Sequence, residues 1–398
     1  MASAELTAPA RSWTRLDGVD VLRSLAIFFV LMNHVNMRLR GAHVPYTQGL
    51  PKQLVSSLVW NGQFGVQIFF AVSGFLITST TLRRWGSLAQ VSVRDFYLLR
   101  FARIAPLLLS LLVVLSVLHA AHVAHFVVSA ETGGLGRALV AALTFHVNVL
   151  EARRGYLPGS WDILWSLSVE EMFYLFFPLA CRLLGRGKLF VILLLTFLVL
   201  GPLGRTVLTH GNPVWREYSY LGGMDAIAMG CLTALFIASA RPSRRAIFVF
   251  GWIGSLLMLF ILGFSMRSEV WRLGCIGLDM TILAAGTCMV IVAAAETSWK
   301  SPRLLRPVLK LGQRSYEVYL THMFVVFCLF SLFVRAGKPM KGVPVLFVLV
   351  ILLSGALGEA VARFYSEPMN RWLRERWGHS GKRLGSVVET EPVEKITV

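Results

Sequence analysis

Long apolar runs alternate along this chain with short polar stretches rich in basic residues. Ten runs are apolar and long enough to cross a bilayer: 19–37, 64–82, 104–126, 166–181, 189–208, 220–239, 246–265, 273–294, 315–334 and 343–362. A transmembrane helix needs about 20 mostly apolar residues to cross the hydrocarbon layer. The pattern therefore predicts an all-α, polytopic membrane helical bundle of about ten spans. The run at 166–181 is short unless it extends back through Trp165 to Trp161. An eleventh stretch, 135–150, is ambiguous by length, and the loop charges decide it.

With the N-terminus inside, the even-numbered loops carry most of the basic residues. They hold Arg83, Arg84, Arg94, Arg100 and Arg103; Arg182, Arg186 and Lys188; Arg241, Arg244 and Arg245; and Lys300, Arg303, Arg306, Lys310 and Arg314. Retention of positive charge on the cytoplasmic side accounts for this bias. Counting 135–150 as a span would move the later basic loops outside, so it is expected to be a re-entrant or surface helix on the outer face. Both termini are then cytoplasmic, in a bacterial inner membrane. The expected organisation is a cytoplasmic segment at 1–15, a transmembrane domain at 16–373 and a cytoplasmic tail at 374–398, polar and disordered from about 379. MASAELTAPARSWTRLDG has no apolar core followed by a cleavage site, so the first helix is expected to act as an uncleaved signal. No inverted repeat is evident, which weakens a secondary-transporter reading.

Composition agrees with a membrane protein. Of 398 residues, 56% are hydrophobic and 15% charged, with mean hydropathy +0.65, which excludes an ordinary soluble globule. A net charge of +18 would fit a nucleic-acid partner, but its confinement to short loops argues against one. Cys181, Cys231, Cys275, Cys288 and Cys328 show neither a CxxC pair nor Cys/His ligand spacing, so neither a disulfide framework nor a metal site is expected.

The candidate chemistry is the polar content of the spans, where ionisable groups are costly unless they face protein or water. Arg23 and His34 stand eleven residues apart, on nearly the same face of the first helix and roughly 16 Å apart along it. A cation at one depth and an imidazole at another point to an anionic ligand reaching toward a base. In WSLSVEEMFYLFFP, Glu170 follows Ser166 and precedes Tyr174 at spacings of four, making one polar stripe beside Trp165. Glu171 points about 100° away and is expected to face water or headgroups. Ser73-Gly74 lacks the G-x-S-x-G pattern of a nucleophile elbow, so a close-packing point near the cavity is favoured. Arg100 and Arg103, one turn apart, make a candidate phosphate clamp. Asp225 and His322 are candidates for lining the cavity, or for bonding between helices. His119, His122 and His125 mimic a metal cluster, but the first and third point about 240° apart, and exposed histidines are expected instead.

In this order, these segments resemble the acyltransferase-3 family of bacterial membrane O-acyltransferases. The family pairs an Arg and a His with ten residues between them in the first helix, matched by Arg23 and His34. FFAVSGF, RFARIAP and WSLSVEEMFY match its next motifs; SYEVYLTH and Glu367-Pro368-Met369 are looser matches. The correspondence covers about 15–373. Departures are small: the Tyr often found after the proline of RIAP is absent, and EEM replaces EEQ.

The resemblance implies transfer of an acetyl or slightly larger acyl group from acyl-CoA, a donor substrate rather than a resident cofactor, to a hydroxyl acceptor. The expected acceptor is a carbohydrate, either a surface polysaccharide or a lipid-linked sugar; a macrolide or other small metabolite is the alternative. On this reading Arg100 and Arg103 hold the donor phosphates, Arg23 guides the pantetheine arm, and His34 is either general base or acyl carrier. Glu170 orients or charge-compensates the imidazole. Ser73, Trp165, Ser166, Tyr174, Asp225 and His322 are expected at the substrate. Some members add an extracytoplasmic hydrolase-like domain; here the transfer is expected to finish within the bundle or on a partner. The competing readings are a proton-coupled transporter using Arg23, His34 and Glu170 as a relay, and a lipid-binding structural protein.

Overall fold

The computed structural model describes residues 16–264, 271–297 and 299–378. The disorder expected from 379 onward lies outside them. Every described element is helical: α1 Asp17–Gly41, α2 Gly62–Trp85, α3 Val93–Ala120, α4 Leu164–Leu184, α5 Leu189–Arg205, α6 Tyr220–Ser239, α7 Arg244–Gly263, α8 Leu278–Thr297, α9 Ser315–Arg335, α10 Val343–Val361 and α11 Glu367–Gly378. Among the described residues, nine helical stretches are long and apolar enough to cross a membrane. The remaining run of the ten is α5, apolar but only 17 residues long. The short run at 166–181 does extend backward, through a turn of helix at Gly159–Asp162.

The ambiguous stretch breaks in two. A helix at Gly134–Leu143 is followed by Phe145 at φ 57° and a second helix at Val147–Arg154. A bulky residue in the left-handed region ends a helix, and neither piece is long enough to span. α3 starts earlier than its apolar run, capped by Ser92, whose hydroxyl accepts from the Asp95 amide at 3.3 Å. It stops at Ala120, leaving His122 and His125 in a loop, both at positive φ.

α2 packs most extensively on α6, and the crossing has no space for side chains. A Cβ on Gly74 would stand 1.9 Å from the Ile227 carbonyl oxygen, and one on Gly230 would stand 2.0 Å from that of Ala71. Backbone-to-backbone approach of this kind lets helices gain dispersion and weak C–H contacts where no hydrophobic effect drives them together. Beside it, Arg205 of α5 forms a 2.7 Å ion pair with Asp225 of α6, and both bond Thr281 of α8, at 2.5 and 2.6 Å. Gln67 of α2 donates to Asp225 at 3.1 Å. The cluster ties four helices at one depth.

Arg182, near the end of α4, donates to the Ala89 carbonyl at 2.9 Å, so the loops after α2 and α4 share one end of the bundle. This basic end also holds the starts of α1, α3 and α9. After α10 a π-helical turn, Ala362–Ser366, leads into α11. Arg314 bonds Glu359 at 2.8 Å and also Glu367, fixing that corner, and Trp377 packs on Phe101 of α3 with ring centroids 5.9 Å apart. The expected boundary at 373/374 falls within α11. This helix is held against the bundle through its last turn.

Candidate active site

A cavity of about 450 Å³ opens at the basic end between α1, α2, α3, α4, α9 and α11. Six arginines line it, Arg23, Arg83, Arg84, Arg100, Arg103 and Arg374, against two glutamates, Glu170 and Glu171. Such an excess of cations in a low-dielectric cleft concentrates anions.

Deeper in, Ser73 and Tyr174 both hydrogen-bond Glu170 Oε1 and meet each other. The Arg100 guanidinium lies over the Tyr174 ring, 3.6 Å from its centroid, and 4.0 Å from Glu171. Arg103 stands 3.7 Å from Glu317 and over the Tyr316 ring. Glu171 is thus at the cavity wall, 8% exposed, rather than facing water or headgroups as expected. The 100° separation of neighbours on a helix holds, but the cavity wraps around α4 far enough to take both carboxylates.

The deep end is closed by Tyr319 and Ser166. Their hydroxyls are 2.6 Å apart, and the Tyr319 hydroxyl also reaches the Ile163 carbonyl at 2.9 Å. Behind Tyr319 stands His322, with ring centroids 5.8 Å apart, and then His34, 5.0 Å from His322. Neither histidine lines the cavity. Arg23 does, donating to Ser315 at 3.1 Å and pairing with Asp20 at 3.5 Å. One face of α1 therefore runs along α9, Arg23 meeting Ser315 and His34 meeting His322.

Two expected residues go elsewhere. Asp225 is fully buried in the Arg205 cluster and does not line the cavity, a correction to its expected place at the substrate. Trp165 stacks on Tyr218, rings parallel and 4.1 Å apart, outside the cavity lining. The three closely spaced histidines diverge: His119 accepts from the Val128 amide at 3.0 Å, and His125 stacks on Phe327. Among the described residues no metal-binding group of three occurs.

Sequence reasoning missed a polar cluster on the far side of His34. Arg38, one turn on, lies over the Phe327 ring, 5.2 Å from its centroid, and within electrostatic reach of Asp162, whose carboxylate accepts from the Tyr218 hydroxyl at 3.1 Å. Glu151, fully buried, accepts from the Leu157 amide at 3.0 Å; burial first, then the charge of Asp162, holds its carboxyl well above the usual range. The i,i+4 spacing of His34 and Arg38 was a readable signal. Glu151 and Asp162 meet across a loop and left none.

Residues 16–359 match the acyltransferase domain family. The chain belongs to this family. The O-acetyltransferase OatA of Staphylococcus aureus (strain NCTC 8325 / PS 47) is 23% identical over 392 residues, covering 94% of this chain and 60% of OatA. The putative O-acetyltransferase SACOL0978 of strain COL is 24% identical over 379 residues, covering 89% of this chain and 57% of that protein. The chain thus spans about 60% of the length of these relatives. No solved structure matches it. Within the acyltransferase family motifs, RFARIAP and WSLSVEEMFY lie side by side at the cavity through Arg100 and Tyr174, and SYEVYLTH supplies both its closing tyrosine and the histidine behind it.

Proposed function

We propose that this acyltransferase moves an acetyl or other short acyl group from acyl-CoA to a hydroxyl of a carbohydrate acceptor. The observation that carries the reading is one cavity with arginines at its mouth, a Ser73–Glu170–Tyr174 cluster in its wall and an imidazole pair one aromatic ring beyond its end. In this reading the basic end faces the cytoplasm and both termini lie there, as charge retention requires. Arg83, Arg84 and Arg374 meet the donor phosphates first, with Arg100 and Arg103 deeper; guanidinium favours phosphate because it bonds it bidentately. The pantetheine arm passes Arg23 along the cavity. For the thioester to reach His34, the Tyr319 side chain swings off Ser166 and Ile163.

His34 then acts as general base. It takes the proton of the acceptor hydroxyl as the oxygen attacks the thioester carbonyl. The C–S bond breaks, and the departing CoA thiolate recovers the proton from His34. Glu170, held by two hydroxyl donors in the cavity wall, serves to charge-compensate the imidazole as it becomes cationic. The sugar acceptor approaches from the far side, where Arg38, Asp162 and Tyr218 offer charged and hydroxyl groups suited to a polyol.

The test is thiol release from acetyl-CoA by purified protein given a glycan acceptor. His34→Ala should lower turnover by about 10²–10⁴-fold, the usual cost of removing a general base. Near-wild-type turnover in a monodisperse sample, or proton flux without thioester consumption, would overturn the reading. Mass spectrometry of surface glycans from a deletion strain identifies the acceptor.

A further inference from the structure

His322 is fully buried in α9, and its ring lies 5.0 Å from that of His34, tilted by 47°. Its Nδ1 is 2.6 Å from the carbonyl oxygen of Tyr319. A carbonyl only accepts, so Nδ1 carries the hydrogen, and in a neutral imidazole Nε2 is then the nitrogen with the lone pair. That Nε2 is buried and receives no hydrogen bond. Buried acceptors are rarely left without a donor, and the exceptions call for a reason. The His34 ring, 5.0 Å away, has an N–H to give, and unlike His322 it is only partly buried. One imidazole is placed to meet substrate, and the other backs it.

We propose that His322 is a positioning residue for the transfer, its Nε2 accepting the N–H of His34 and so fixing the tautomer in which His34 offers its other nitrogen to the acceptor hydroxyl. The inference rests on His34 as the base. During transfer the hydroxyl proton goes to the bare nitrogen of His34, the C–O bond forms, the C–S bond breaks, and the thiolate takes that proton away. His322 keeps its own proton on the Tyr319 carbonyl throughout. It shares the passing positive charge of His34 through the N–H···N bond. The carbonyl of Tyr319 thus sets His322, and His322 sets His34, so three residues of the SYEVYLTH turn and the first helix form one chain of orientation.

A buried imidazole that merely packs would behave differently on substitution. His322→Asn keeps an N–H for the Tyr319 carbonyl but has nothing at the Nε2 position; His322→Gln extends an amide oxygen toward that position and restores an acceptor. Steady-state kinetics of both full-length variants should show kcat falling by about 10–100-fold in the Asn variant, as when the outer partner of a liganding histidine is lost. KM for acetyl-CoA should hold, and the Gln variant should recover most of kcat. Wild-type kcat in the Asn variant would overturn the proposal. So would equal losses in both variants with raised KM, the mark of a packing role. His34→Gln, measured alongside, separates the two levels: an active His34→Gln enzyme sinks the general-base reading itself, whereas a dead one beside a fully active His322→Asn sinks only the role given to His322.

Discussion

At the residue scale, Glu170 and Glu171 share the cavity but differ in partners, and the kinetics should divide accordingly. Glu170→Gln keeps an oxygen for Ser73 and Tyr174 and removes only the charge, so kcat should fall by about 10²-fold with KM little changed. Glu171→Gln removes the acidic group that competes with the donor phosphates for Arg100 and should lower KM for acetyl-CoA while sparing kcat. Steady-state measurement of both variants checks the split. Glu151 carries a pH dependence of its own. Its carboxyl holds a proton in the folded protein at pH values where the unfolded chain has lost it, above about 4.3. Folding then binds a proton, so stability falls as pH rises through that window. Glu151→Gln should flatten this slope, read as melting temperature in detergent between pH 5 and 8. Of these groups Glu170 was legible, since Ser166, Glu170 and Tyr174 form a stripe. The burial of Glu171 was not, because a helical wheel says where a side chain points but not how far around the helix a cavity extends.

At the element scale, the α2–α6 crossing and the Arg205–Asp225 cluster bear the assembly. Gly230→Val would drive side-chain atoms into the Ala71 carbonyl, so the two helices must separate; size-exclusion of a fluorescent fusion should show little monodisperse protein. Arg205→Ala leaves Asp225 buried without its cation and should cost about 3–5 kcal/mol by denaturant titration in detergent. Arg205→Met combined with Asp225→Leu should recover much of that loss, because no unpaired charge remains. The sequence marked Ser73-Gly74 as a packing point, and small residues in a span carry that signal reliably. It marked Asp225 only as a polar residue in a span. The choice between cavity and ion pair depended on Arg205, twenty residues away on another helix, which no periodicity connects to it. Helix positions were legible because apolar length is nearly all that membrane insertion requires. Break points such as Phe145 were not, since backbone strain leaves no mark in hydropathy.

At the scale of the whole molecule, the sidedness proposed from the basic end is open to a direct test. In a protein with Cys275 and Cys328, the exposed cysteines, replaced by Ser, new cysteines at Gln90 and Arg303 should be protected from an impermeant maleimide in intact cells, and one at Glu131 should label. Labelling of the Arg303 site from outside would reverse the assignment. The ring of arginines at the cavity mouth also bears on the physiology of such an enzyme. On the proposed function those side chains would meet the nucleotide part of the donor, which the reaction leaves unchanged, and so would hold spent CoA as firmly as acetyl-CoA. Free CoA should therefore compete with the donor, with an inhibition constant close to its KM, and both should weaken together as salt is raised. Turnover would then follow the cell's ratio of acetylated to free coenzyme rather than the amount of donor alone, and the extent of acetylation at the surface would report the carbon status of the cytoplasm.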